Sequence, residues 1–180
     1  MRTNLKTKKL ALLLILVLTY SCNIDAPNFK QKILFGVQYT NWAWGYQNKG
    51  FLIDSMGYVR AFDLSKTTLV WKNQDSSGYI SKASMEINLS YCDSIICKLK
   101  ADSLSHYTGK IWAASKGTIS KPTTQMADFG EIRYYAYIYD EKSERYKEVL
   151  IKLYGDAMII NSTIEAEDIY DWLKRINTKQ

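Results

Sequence analysis

Few residues in this chain have types and spacing that could do chemistry, and its single histidine is the first to weigh. His106 follows Asp102 by four residues, the spacing of an ordinary pair on a helix surface. A hydrolytic triad needs an imidazole held between a carboxylate and a nucleophile, and no G-x-S-x-G elbow accompanies this one. Asp128 and Glu131, either side of Gly130, are the best-placed pair of carboxylates. Such a pair hydrolyses glycosides when one carboxyl acts as acid and the other as nucleophile or base. Cys92 and Cys97, in CDSIIC, can close a disulfide if the segment bends, whereas one straight strand would hold their Cα atoms about 16 Å apart. A disulfide and two buried thiols stand as alternatives. No second Cys or His pair supports a metal, and no calcium-loop, phosphate-cradling or dinucleotide pattern appears, so neither metal nor cofactor is expected. The densest cluster is aromatic, Tyr39-Thr40-Asn41-Trp42-Ala43-Trp44-Gly45-Tyr46. If extended, it projects Trp42, Trp44 and Tyr46 to one side, where flat rings can stack on a sugar or anchor a protein. The competing expectation is that these rings cover the core beside the neighbouring hairpin.

The N-terminus carries a different kind of chemistry. Arg2, Lys6, Lys8 and Lys9 precede an unbroken apolar run of nine residues, Leu10 to Leu18. That run is short of the roughly 20 residues needed to span a bilayer, but it suits the h-region of a signal peptide. It closes on Thr19-Tyr20-Ser21-Cys22, which resembles the lipobox of bacterial lipoproteins. The resemblance implies cleavage before Cys22, acylation of its thiol, and a mature protein held in the cell envelope by lipid. Asn23 rather than Asp follows the cysteine, so the outer membrane is expected in preference to the inner. The resulting organisation is a signal peptide over 1–21, a polar tether over 22–31 and one domain over 32–180. Three triplets, Asp54-Ser55-Met56, Asp93-Ser94-Ile95 and Asp102-Ser103-Leu104, resemble the O-glycosylation sequon of envelope proteins in some Gram-negative bacteria. That resemblance makes Ser55, Ser94 and Ser103 possible acceptors.

Charge removes one class of partner. Four of the 24 Lys and Arg residues lie in the leader, leaving 20 bases against 18 acids. The mature chain therefore has no basic cluster able to neutralise a run of phosphates, and no nucleic-acid partner is expected.

The elements that must position these residues follow from periodicity. Ile33 to Tyr39 alternates as a strand, with Ile33, Phe35, Val37 and Tyr39 on one side. Phe51 to Asp54 and Tyr58 to Asp63 flank a four-residue turn opened by Asp54 and closed by Gly57, a hairpin signal. Thr67 to Trp71 is β-rich and reads as a further strand. The hairpin and the following Leu-Val-Trp resemble one unit of a β-propeller blade, but no second copy follows where a propeller needs at least four. Tyr79 to Tyr91 reads as a helix capped by Ser81, and Asp102 to Ser115 as one helix capped by Asp102 or Ser103 and ended at Gly117. Lys116 to Asp128 is a long loop. Glu131 to Tyr139 and Tyr146 to Tyr154 form a hairpin, and both faces of its first strand are apolar enough to be covered. Ser162 and Glu165 are spaced as a capping box for a last helix that buries Ile169, Trp172, Leu173 and Ile176. The expected fold is α+β, a mostly antiparallel sheet with two or three helices packed on one face. The expected role is that of a lipid-anchored binding domain for protein or glycan without catalysis, the alternative being a small envelope hydrolase using Asp128 and Glu131.

Overall fold

Hairpins supply the frame. The first joins β2 (Gln47–Asp54) to β3 (Tyr58–Asp63), and Asp54 organises its turn. One carboxylate oxygen of Asp54 accepts from the backbone N–H groups of Met56 and Tyr58, while the other accepts from Arg60 Nε at 2.7 Å. Gly57 takes the positive φ of 83° that closes the turn. The second hairpin joins β7 (Glu131–Asp140) to β8 (Arg145–Gly155). β1 (Ile33–Asn41) lies between the two and pairs antiparallel with both β2 and β7. These facts come from a computed structural model that describes residues 31–43 and 45–178. The leader, Cys22 and Trp44 lie outside the described residues.

The remaining elements extend this sheet. They are β4 (Tyr79–Ser81), α1 (Lys82–Ser90), β5 (Ser94–Lys98), α2 (Ala101–Thr108), α3 (Ile111–Ala114), β6 (Thr123–Thr124), β9 (Ala157–Ile160) and α4 (Ile164–Asn177). Strand order is β5-β3-β2-β1-β7-β8-β9-β6, with β4 paired to the first part of β8, and every pairing of these strands is antiparallel. The protein is thus α+β with a sheet-dominated core.

Strand alternation divides the core in two. On one face Phe35, Val37, Phe51, Ile53 and Ala136 pack against Leu104 of α2, Ile111 and Ala114 of α3, and Ile169, Trp172 and Leu173 of α4. Trp172 stacks on Tyr107 with centroids 4.3 Å apart and meets Phe35 edge-on at 5.0 Å. On the other face Leu52, Tyr135, Tyr137 and Tyr146 pack against Leu64, Trp71 and Met85 of α1. The helices therefore do not share a single face, because β7 is apolar on both sides and each side needs cover. Tyr135 lies flat over Gly36, its cross-strand partner, where a Cβ would sit 2.3 Å from the ring.

Several local expectations need correction. Ile33 does not share a side with Phe35 and Val37, because a bulge between Ile33 and Phe35 turns Ile33 into the opposite cluster. Thr67 to Trp71 is not a strand; Trp71 leaves the sheet to stack on Phe62 at 4.2 Å, and the segment runs as an irregular loop. Tyr79 to Tyr91 is a short strand followed by α1, although Ser81 does cap it by accepting from Ser84 N. Asp102 to Ser115 breaks at Gly109 into α2 and α3, and α2 starts after Lys100 with no side-chain cap. Thr163, not Ser162, caps α4, since Ser162 Oγ is engaged with Thr118 N. Cys92 and Cys97 form no disulfide: β5 holds Cys97 in an extended strand paired with Val59, so the segment does not bend back. Nor are both thiols buried, since Cys97 is exposed.

Candidate functional site

The face that carries Tyr135 and Tyr137 is not covered along its whole length. Beyond the core, toward the end of β1, the same face presents Gln38 and Thr40 from β1, Asn48 from β2, and Glu131 and Arg133 from β7. The loop from Thr67 to Gln74 stands over these residues as a second wall, enclosing a cleft of about 660 Å³. Ligand sites of small molecules fall in this size range and combine rings with a few placed polar groups.

The aromatic segment meets the cleft at its mouth. Trp42 is 76% exposed, and its ring lies 4.4 Å from that of Tyr46, tilted by 42°. An exposed indole gains no burial from the fold, so Trp42 is not core. Tyr46 is held from beneath by a relay of buried amides. Gln38 Nε2 donates to Asn48 Oδ1 at 2.8 Å, and Asn48 Nδ2 donates to the Tyr46 hydroxyl at 2.9 Å. Having accepted that bond, the hydroxyl can still donate. The backbone beside Trp42 is fixed as well: Asn41, 4% exposed, accepts from Ala43 N and donates to the Tyr39 hydroxyl and the Asp128 carbonyl.

The opposite wall is irregular but pinned. Asn88 of α1 accepts from Lys72 N and donates to the Lys72 carbonyl, both at 2.8 Å. Its side chain thus takes the place of a peptide neighbour for one loop residue, and Trp71 anchors the next by burying its ring. At the floor, Arg133 pairs with Glu148 at 3.5 Å. Burial pushes the Glu148 carboxyl above its ordinary range, and the Arg133 charge only partly opposes that. The adjacent Tyr135 and Tyr137 hydroxyls are buried with no partner in hydrogen-bonding geometry among the described residues, and burial pushes both well up.

The carboxylates proposed from sequence line the same hollow. Asp128, Glu131 and Asp156 line a shallow depression of about 520 Å³ that adjoins the cleft and shares Trp42 with it. Asp128 holds a left-handed φ of 61°, and Asp156 accepts from the N–H groups of Phe129 and Gly130. Asp128 is open to solvent and Glu131 half-exposed. His106 is exposed on α2, edge-on to Tyr107. Among the described residues no group of three metal-ligating side chains converges.

Of the serines in the Asp-Ser triplets, Ser94 is exposed at the start of the edge strand β5, Ser55 lies half-buried in the Asp54 turn, and Ser103 lies in α2 beside buried Leu104. Sequence reasoning found Trp42, Tyr46 and Glu131 but missed Gln38, Asn48, Arg133 and the loop wall. Polar residues alternating along a strand read as a solvent face, and only the loop's position turns that face into a cleft. Comparison of the chain with protein-family models, curated proteins and solved structures finds no match.

Proposed function

We propose that this is a lipid-anchored envelope protein whose domain binds a glycan or protein ligand in the Trp42–Tyr46 cleft without transforming it. One observation carries the binding reading: an exposed indole is paired with a tyrosine whose hydroxyl is set by a buried amide relay, at the mouth of a cleft with polar groups on its sheet side and Leu69, Val70 and Trp71 on its loop side. Preorganised rings of this kind spend little entropy on meeting a ligand. The anchor reading rests on the basic, apolar and Cys22 sequence of the leader, and no helix among the described residues is long and apolar enough to cross a membrane. Acylation at Cys22, placement in the outer membrane and O-glycosylation at Ser94 belong to the same proposal.

Binding is tested with Trp42→Ala. Because the ring is exposed, the substitution should leave Tm within about 2 °C of the parent while removing binding to a glycan array or an envelope-protein pull-down. A large loss of stability, or binding that survives, would refute the reading. The depression shared by Asp128, Glu131 and Asp156 favours hydrolysis as the second reading. Under it, Asp128→Asn or Glu131→Gln would abolish turnover of a chromogenic glycoside panel; turnover unchanged in both would dismiss it.

A further inference from the structure

The cleft does not end at Trp42. Thr40, Trp42 and Glu131 line both the cleft and the carboxylate depression, and Asn41 and Asp128 line both that depression and a third of about 750 Å³. Alternation along β1 places Gln38 and Thr40 on one face of the sheet and Val37 and Tyr39 on the other. The three hollows therefore follow one another around the end of the sheet, from one face to the opposite one. Between the second and third hollows the chain passes through Gly130, a residue without a side chain. Gly130, at a φ of 78°, has room for no side chain, since a Cβ there would lie 2.4 Å from the Thr40 carbonyl oxygen, and a Cβ on Gly155 would come within 1.9 Å of the Gly130 oxygen. In the third hollow, Phe129, 40% exposed, stands against Tyr154, and the Tyr39 hydroxyl donates to the Phe129 carbonyl.

We propose that the three hollows are one track for a linear, uncharged polysaccharide, bound with its chain crossing the end of the sheet. This rests on the binding reading above and adds the ligand class and the extent of the site. Four features select that class. Asp128, Glu131 and Asp156 at the middle of the track repel an anionic chain, whether acidic polysaccharide or nucleic acid, yet accept hydrogen bonds from sugar hydroxyls. At either side the charges are already matched: Arg133 meets Glu148, and Lys49 sits directly across from Asp63 on β2 and β3. An extended peptide would seek a sheet edge, but β1, β2 and β7 are each paired on both sides, so strand addition is closed to it along the track. Rings flank the middle depression, Trp42 with Tyr46 on one side and Phe129 on the other, and suit the C–H faces of successive sugar units.

The test is equilibrium binding of the full-length chain, purified in detergent, to linear neutral glucan oligosaccharides from di- to octasaccharide, with an acidic oligosaccharide series and a peptide library beside them. Affinity should climb with length until the track is filled. Phe129→Ala should weaken the longest chains by about three- to tenfold while leaving the shortest unchanged, whereas Trp42→Ala should weaken all of them. Affinity that is flat with length, or a Phe129→Ala loss equal for short and long chains, would overturn the track. No binding to any neutral chain, or preferential binding of acidic chains or peptides, would overturn the ligand class. In that last case, dependence on Trp42 would show that the cleft still binds.

Discussion

Asn88→Ala offers the most direct probe of how the cleft is held open. Asn88 is 0% exposed and makes two hydrogen bonds of 2.8 Å, both to the backbone of Lys72. Alanine leaves the Lys72 N–H and C=O without partners. A buried polar group so orphaned costs about 1–3 kcal/mol, and the half-buried position of Lys72 gives water access to part of it. The expected loss is about 2–4 kcal/mol, which a domain of ordinary stability survives. In a domain of this size that lowers Tm by roughly 4–16 °C. Urea titration gives the free energy, and hydrogen exchange at the Lys72 amide localises it. Asn88→Asp sharpens the test. At neutral pH its carboxylate accepts from Lys72 N–H but opposes the Lys72 carbonyl, so it should be at least as damaging as alanine. Protonation restores an O–H donor, and stability should recover as the pH falls. A loss below about 0.5 kcal/mol for Asn88→Ala, or no acid recovery for Asn88→Asp, would refute the clamp.

Other outcomes follow from the same packing. Trp172→Ala removes a buried ring that stacks on Tyr107 and should cost about 3–5 kcal/mol by chemical denaturation, against almost nothing for exposed Trp42→Ala. Burial pushes the Cys92 thiol up to about 12, so alkylation at pH 8 should mark exposed Cys97 quickly and Cys92 only on unfolding, read by mass spectrometry. The Glu148 carboxyl is held above its ordinary range chiefly by burial, so the folded state binds its proton more readily than the unfolded chain does. Its favourable contribution is therefore present in acid and lost as pH rises through the folded value. Glu148→Gln should accordingly look more favourable relative to the parent at pH 7 than at pH 4, and a difference that ignores pH would contradict the assignment.

How far the sequence reveals all this depends on where each residue's partner lies. β7, β8 and α4 are legible because period-2 and period-3.6 patterns come from burial against a neighbouring layer, and Tyr135 and Tyr137 opposite Tyr134 and Ala136 announce a strand covered twice. Asp54 is legible because its partners are two and four residues away. Thr67 to Trp71 misleads because its β-branched residues have no strand to pair with; Trp71 is drawn off by Phe62 instead. β5 escapes notice because all five of its residues are exposed on a sheet edge and show no alternation. At the site, the ring cluster around Trp42 is visible as composition. The Asn88 clamp is not, because its partner is a backbone peptide sixteen residues away with no side-chain signature.

The placement of Gln31 has a mechanical consequence. Its amide donates to the Ile33 and Tyr137 carbonyls and accepts from Tyr139 N, fastening the chain where β1 begins. Trp42 follows immediately where β1 ends, nine strand residues or about 30 Å away. A protein held upstream of Gln31 and gripping a ligand at Trp42 takes any pull along the axis of one strand. Because Gln31 and Trp42 flank one continuous strand, such a pull travels through the covalent backbone of β1, and the ladders on both sides hold that strand in place without bearing the load themselves. In a chain tethered upstream of Gln31, as proposed, tether and cleft are thus joined by one unbroken strand, and tension between them need not pass through any ladder of the sheet.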